Sequence, residues 1–143
     1  MMGWWAGGLV ALIATGPDLR HHQIPRWITM PGAAGALGAA ALGYLPGAAL
    51  LWGAGVGVVY TVLTPVDAFG GGDLQLAAVT AAWWGPAAVL CLLGSHLLQV
   101  GYTVAANRRH RRAAGTPVPL PWAPFLAAAW LALSIVMVVG EGR

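Results

Sequence analysis

Charge is kept out of the long segments of this chain, and that alone narrows what it can fold into. Apolar stretches fall at about 3–17, 26–45, 47–64, 74–106 and 122–139, and apart from Arg26 at one edge none contains Asp, Glu, Lys or Arg. Helix breakers stand between them: Gly16-Pro17, Pro25, Pro46-Gly47, Pro65 and the series Pro117, Pro119, Pro121. Charged residues make up 8% of the chain, against roughly 25% in a soluble domain. Too few polar side chains remain to cover a water-facing surface. The reading is an all-α, polytopic membrane protein forming a single domain over residues 1–143. No internal repeat and no domain linker is evident.

The stretch 74–106 decides the number of spans. As one helix it would run about 50 Å at about 1.5 Å per residue, whereas a hydrocarbon core is about 30 Å thick. Trp83-Trp84-Gly85-Pro86 inside it joins interface-seeking indoles to two breakers, so the chain is expected to turn there. About six transmembrane helices in one bundle result. Arg20, Arg26, Arg108, Arg109, Arg111 and Arg112 then share one side with the loops at 18–25, 64–73 and 107–121. The positive-inside rule makes that side cytoplasmic. The opening Met1 to Ile13 lacks a basic region ahead of it and a convincing cleavage site before Asp18, so it reads as a retained first span.

Only four acidic residues occur, and three of them, Asp18, Asp67 and Asp73, fall on that same side. A carboxylate near a bilayer core is expensive unless it meets water, a partner or a substrate. The glycines Gly70, Gly71 and Gly72 remove every Cβ ahead of Asp73, which allows close backbone approach. Asp73 is expected to cap the following span, and Asp18 to end the first one. Two carboxylates brought close share a proton. The ionised one can take a proton from water while the neutral one donates to a carbonyl under attack. Taken singly, Asp73 has a lesser reading as a helix cap and Asp18 as an interfacial acid paired with Arg20; neither explains why both gather on one face with Asp67.

The residues around these acids resemble a known family. Asp18-Leu19-Arg20-His21-His22-Gln23-Ile24-Pro25 is similar to the first-aspartate motif of type IV prepilin peptidases. Asp67-Ala68-Phe69-Gly70-Gly71-Gly72-Asp73-Leu74-Gln75-Leu76 resembles the second, an acid followed by a GxGD segment, and Val118 to Leu126 resembles the opening of the last span. The resemblance covers nearly the whole chain in order. It implies an aspartyl endopeptidase, in the mechanistic class of presenilins, that removes the basic leader of prepilin-like precursors at the cytoplasmic face of a bacterial or archaeal membrane. It implies Asp18 and Asp73 as the catalytic pair, with Asp67, Gly70, Gly71, Gly72, Gln75 and Pro25 in supporting or substrate-binding positions. No metal and no cofactor is implied. The expected partners are the precursor's leader and apolar helix together with membrane lipids; oligomeric state is left open. The cysteine-bearing segment that larger members associate with N-methylation has no counterpart, so methylation is not expected.

Two positions depart from the family pattern: Gln75 stands where lysine is usual, and Arg26 where Asn or Asp commonly follows the proline. Two other readings therefore stay open, a pilin-binding assembly factor without activity and a small proton- or ion-coupled transporter. His21 and His22 read as loop residues with a substrate contact as the second option, because a zinc site would need further ligands. His96, beside Ser95 and Gln99, reads as an interhelical hydrogen-bonding residue. The Arg108–Arg112 cluster reads as an orientation signal and lipid contact lying away from the cleavage site, not as a nucleic-acid surface. The single Cys91 excludes an internal disulfide and reads as packing, and the tryptophans read as interfacial anchors.

Overall fold

A computed structural model describes residues 2–63, 71–110 and 120–141. Among them regular structure is helical throughout: α1 (Met2–His21), α2 (Arg26–Ala41), α3 (Gly47–Leu63), α4 (Gly71–Trp84), a short 3-10 turn (Gly85–Ala87), α5 (Ala88–His110) and α6 (Ala123–Glu141). The helices lie where the apolar stretches fall, with three shifts at their ends. α1 runs through Pro17 to His21, since a proline in the final turn forfeits one backbone bond while His22 N–H still reaches the Asp18 carbonyl at 2.9 Å. α4 begins at Gly71, two residues ahead of Asp73. α5 continues to His110, so Arg108 and Arg109 belong to its last turn and not to a loop, because neither Gly nor Pro occurs from Tyr102 to His110.

Taken as one run, Gly71–Ala106 is long and apolar enough to cross a membrane, and Gly47–Val62 and Ala123–Val139 are shorter apolar helices. The run of 36 residues is folded back on itself. Asp73 lies within electrostatic reach of Tyr60, and His96 bonds the same Tyr60. Residues 73 and 96 would be about 35 Å apart along a straight helix. The reversal falls at Trp83 to Ala87, as the breakers there predict. Gly85 takes φ +57°, a left-handed conformation that other residues enter at a steric cost.

The helices alternate in direction. Gly53 and Gly57 of α3 lie against Ala82 and Ala78 of α4, so these two run antiparallel. α2 runs with α4, since Thr29 meets Gln75 and the Trp83 indole donates to the Gly32 carbonyl at 3.0 Å. α1 opposes α6: Asp18 meets Ala123 at one end, and the Trp4 indole donates to Ser134 Oγ at 2.7 Å nearer the other. The C-termini of α1, α3 and α5 therefore share the end holding Asp18 and Asp73, and the turns at 42–46 and 85–87 lie at the opposite end.

Small residues make the close packing possible. Ala11, Ala14, Ala77, Ala81 and Ala88 are fully buried between helices, and α4 sits against α1, α2 and α3. The outward faces are apolar as well, with Leu51, Val58 and Val62 on α3 and Ile135, Val136 and Val138 on α6 all exposed. The tryptophans depart from the expected pattern. Trp84, Trp122 and Trp130 are buried, because each indole N–H finds a partner inside: Trp4 O for Trp84 and Trp130, and Ser95 Oγ for Trp122. Trp5, Trp27 and Trp52 remain exposed, and Cys91 is buried packing as expected.

Candidate active site

The N-terminus of α6 presents a problem that its own sequence leaves unsolved. Leu120-Pro121-Trp122 supplies no Ser, Thr, Asp or Asn ahead of Ala123 to accept from the first N–H groups of the helix. Asp18 solves it from another helix. Its Oδ2 accepts the Ala123 N–H at 2.8 Å, and the Trp122 N–H acts on the same carboxylate. Asp18 is only 3% exposed. Burial opposes its charge, while the two amides and the positive end of α6 favour it. Nearby Arg20 is exposed.

Asp73 is placed differently. It lies in the first turn of α4, within the helix and not at its cap, and it is half-buried. Together with His22, Gln23, Ile24, Gly71 and Gly72 it lines a cavity of about 280 Å³. Half of that wall is the segment leaving α1, only four to six residues beyond Asp18. The approach of this segment to α4 depends on Gly72: a Cβ there would stand 3.1 Å from Ile24 Cβ and 3.2 Å from the Ile24 backbone N and O. Gly71 has open space at the same position. Both aspartates thus lie at one end of the bundle, one held inside and the other bordering an opening.

The remaining expected residues divide. Gln75, one turn into α4, accepts the Thr29 hydroxyl of α2 at 2.9 Å and so ties these helices together, without lining the cavity. Pro25 is the N-cap of α2 in an extended conformation with ψ 143°, and it stops α2 from continuing back into the cavity segment. Asp67 and Gly70 lie outside the described residues.

His22 is the residue that reading the sequence undervalued. It takes φ +51°, the one non-glycine residue with positive φ among those described. It lines the cavity beside Asp73 and acts electrostatically on Asp18. Histidine tolerates this conformation better than most residues, but no sequence signal marks the position, since the chain offers no glycine to end α1. A larger groove of about 670 Å³ runs between α3 and α5, and its wall carries no carboxylate.

A family model, the type IV leader peptidase family, matches residues 5–140, which is nearly the full chain and includes both aspartate segments. The chain belongs to the type IV leader peptidase family. Membership makes it a leader-peptidase-like protease at the level of the family. Searches of curated proteins and of solved structures give no match.

Proposed function

We propose that this chain is a six-span membrane aspartyl endopeptidase that cuts the basic leader from pilin-like precursors, with Asp18 and Asp73 as its acid pair. The observation that carries the reading is the arrival of α1's last turn and α4's first turn at one end of the bundle, with the segment 22–24 and Asp73 around one cavity. Membrane insertion is supported by the apolar outward faces, which would leave a soluble monomer with far more exposed apolar surface than is usual. Arg20 and Arg26 stand at the aspartate end, and α5 closes there with Arg108 and Arg109, which favours a cytoplasmic site.

In this reading water sits between the two carboxyl groups, which share one proton. The ionised carboxylate takes a proton from the water as its oxygen attacks the scissile carbonyl, and the protonated partner donates to the carbonyl oxygen. Return of a proton to the leaving amine breaks the C–N bond and releases the leader as a carboxylate. The Ala123 N–H fixes Asp18 against rotation, so less freedom is lost when substrate arrives. His22 and Gln23 line the mouth and are placed to meet the substrate chain.

Coexpression with a precursor that carries a basic leader and an apolar helix tests the reading on a gel. The wild type shortens the precursor, and Asp18→Ala and Asp73→Ala leave it full length. Cleavage that survives both substitutions removes the mechanism. Wild-type protein that binds the precursor without shortening it is an assembly factor; a flux altered by Asp18→Asn with no cleavage product marks a transporter.

A further inference from the structure

Tyr60, near the end of α3, and His96, in the middle of α5, are polar residues for which the peptidase reading has no use. Tyr60 is 5% exposed, and its hydroxyl stands 2.6 Å from His96 Nε2. The His96 ring stacks on Trp122, with centroids 5.5 Å apart and planes at 15°, and His96 also hydrogen-bonds Gln99 one turn on. Trp122 immediately precedes Ala123, whose N–H holds Asp18. On the other side, the register of α3 on α4 brings Tyr60 level with Asp73, within electrostatic reach. Contacts therefore run from Tyr60 through His96 and Trp122 to the residue whose amide holds Asp18, while Asp73 lies level with Tyr60 at the other end of the series; α3, α5 and the segment opening α6 supply these residues, outside both aspartate motifs.

Packing alone does not account for this choice of residues. Phe at position 60 and Leu at 96 would fill the same space without bringing a hydroxyl and an imidazole into an apolar interior, which costs several kcal/mol unless each is satisfied. The location is informative too. The 670 Å³ groove between α3 and the first two turns of α5 is walled by Val56, Val59, Val89 and Leu93, and Tyr60 and His96, which also line it, meet across it.

We infer that Tyr60 and His96 are a positioning pair for the acid site: His96 fixes the Tyr60 hydroxyl, and Tyr60 in turn sets the place of Asp73 relative to Asp18. The inference rests on the peptidase reading above. Neither residue touches the scissile bond.

The test uses purified full-length protein in detergent and a leader-bearing precursor. Tyr60→Phe keeps the ring stack and removes one oxygen, His96→Leu removes the partner, and His96→Gln keeps a hydrogen-bonding group at similar reach. Misplacing a reacting group by about 1 Å can lower turnover about 100-fold. Tyr60→Phe and His96→Leu are accordingly expected to lower kcat by about 10- to 100-fold with KM within about twofold, and His96→Gln to recover most of the loss. The double variant Tyr60→Phe/His96→Leu should be no slower than either single one, the mark of two residues acting through one bond. Tyr60→Phe with wild-type kcat, or losses that multiply in the double variant, overturn the inference while leaving the peptidase intact. Wild-type protein without cleavage, or cleavage untouched by Asp73→Asn, overturns the peptidase reading itself and this inference with it.

Discussion

The two aspartates are the same residue at opposite kinds of helix end, and the fold treats them in opposite ways. Asp18, in the last turn of α1, is turned into the protein to serve the N-terminus of α6. Asp73, in the first turn of α4, is half-buried at the wall of a cavity. The difference separates two tasks. Asp18 joins α1 to α6, so in the proposed reaction its carboxylate would serve stability and chemistry together, whereas Asp73 stands in the first turn of its own helix, beside the cavity. In the proposed mechanism the buried acid would supply a fixed geometry and the half-buried one an entrance for water and substrate.

The largest effect that can test this contrast is on cleavage itself. Asp18→Asn and Asp73→Asn should each reduce turnover by about 10²- to 10⁴-fold, the range for losing a general acid or base. Quantitative gel densitometry with purified protein checks it. An Asn variant retaining a tenth of wild-type turnover would remove its residue from the pair.

Stability should then separate the two corners. Asp18→Ala strips a buried N–H of its charged acceptor and is expected to cost about 1.5–3 kcal/mol, while Asp18→Asn, which keeps an acceptor oxygen, should cost clearly less. Asp73→Ala forgoes an N-terminal dipole interaction of about 0.3–1 kcal/mol. Thermal melting in detergent compares the three, and equal midpoints for the two alanine variants would end the distinction.

A smaller effect probes the cavity wall. Gly72→Ala pushes against Ile24 and should raise KM by displacing the segment 22–24, at about 1 kcal/mol in stability. Gly71→Ala meets nothing and should stabilise α4 by about 0.5–1 kcal/mol. At a similar size, His22→Gly relieves a left-handed backbone worth about 1 kcal/mol and should raise the melting point slightly, provided the imidazole has no substrate to hold. A simultaneous rise in KM would show that it does.

Much of this was legible in the chain. The five apolar runs foretold an all-helical chain, the breakers inside 74–106 the turn at Trp83 to Ala87, and counting reversals placed Asp18 and Asp73 at one end. Trp84, Trp122 and Trp130 depart from the interfacial reading because burial of an indole depends on a carbonyl or hydroxyl on a distant segment, as Trp4 O serves Trp84 and Trp130. Tyr60 and His96 lie 36 positions apart, and nothing in either neighbourhood announces that their side chains meet. The bare start of α6 was a usable clue: a helix opening on Leu-Pro-Trp with no capping side chain must take one from elsewhere.

By itself the sequence determined the helices and their order, and which ends carry acid, because apolar runs, proline and glycine act within a few residues of where they stand. Only the tertiary structure decided that Asp18 would be held by the amide of Ala123, that His22 and Gly72 would share a wall with Asp73, and that Tyr60 would bond His96. Those outcomes depend on how distant helices pack, and a hydrogen bond of about 3 Å is made or lost by displacements too small for any local pattern to specify.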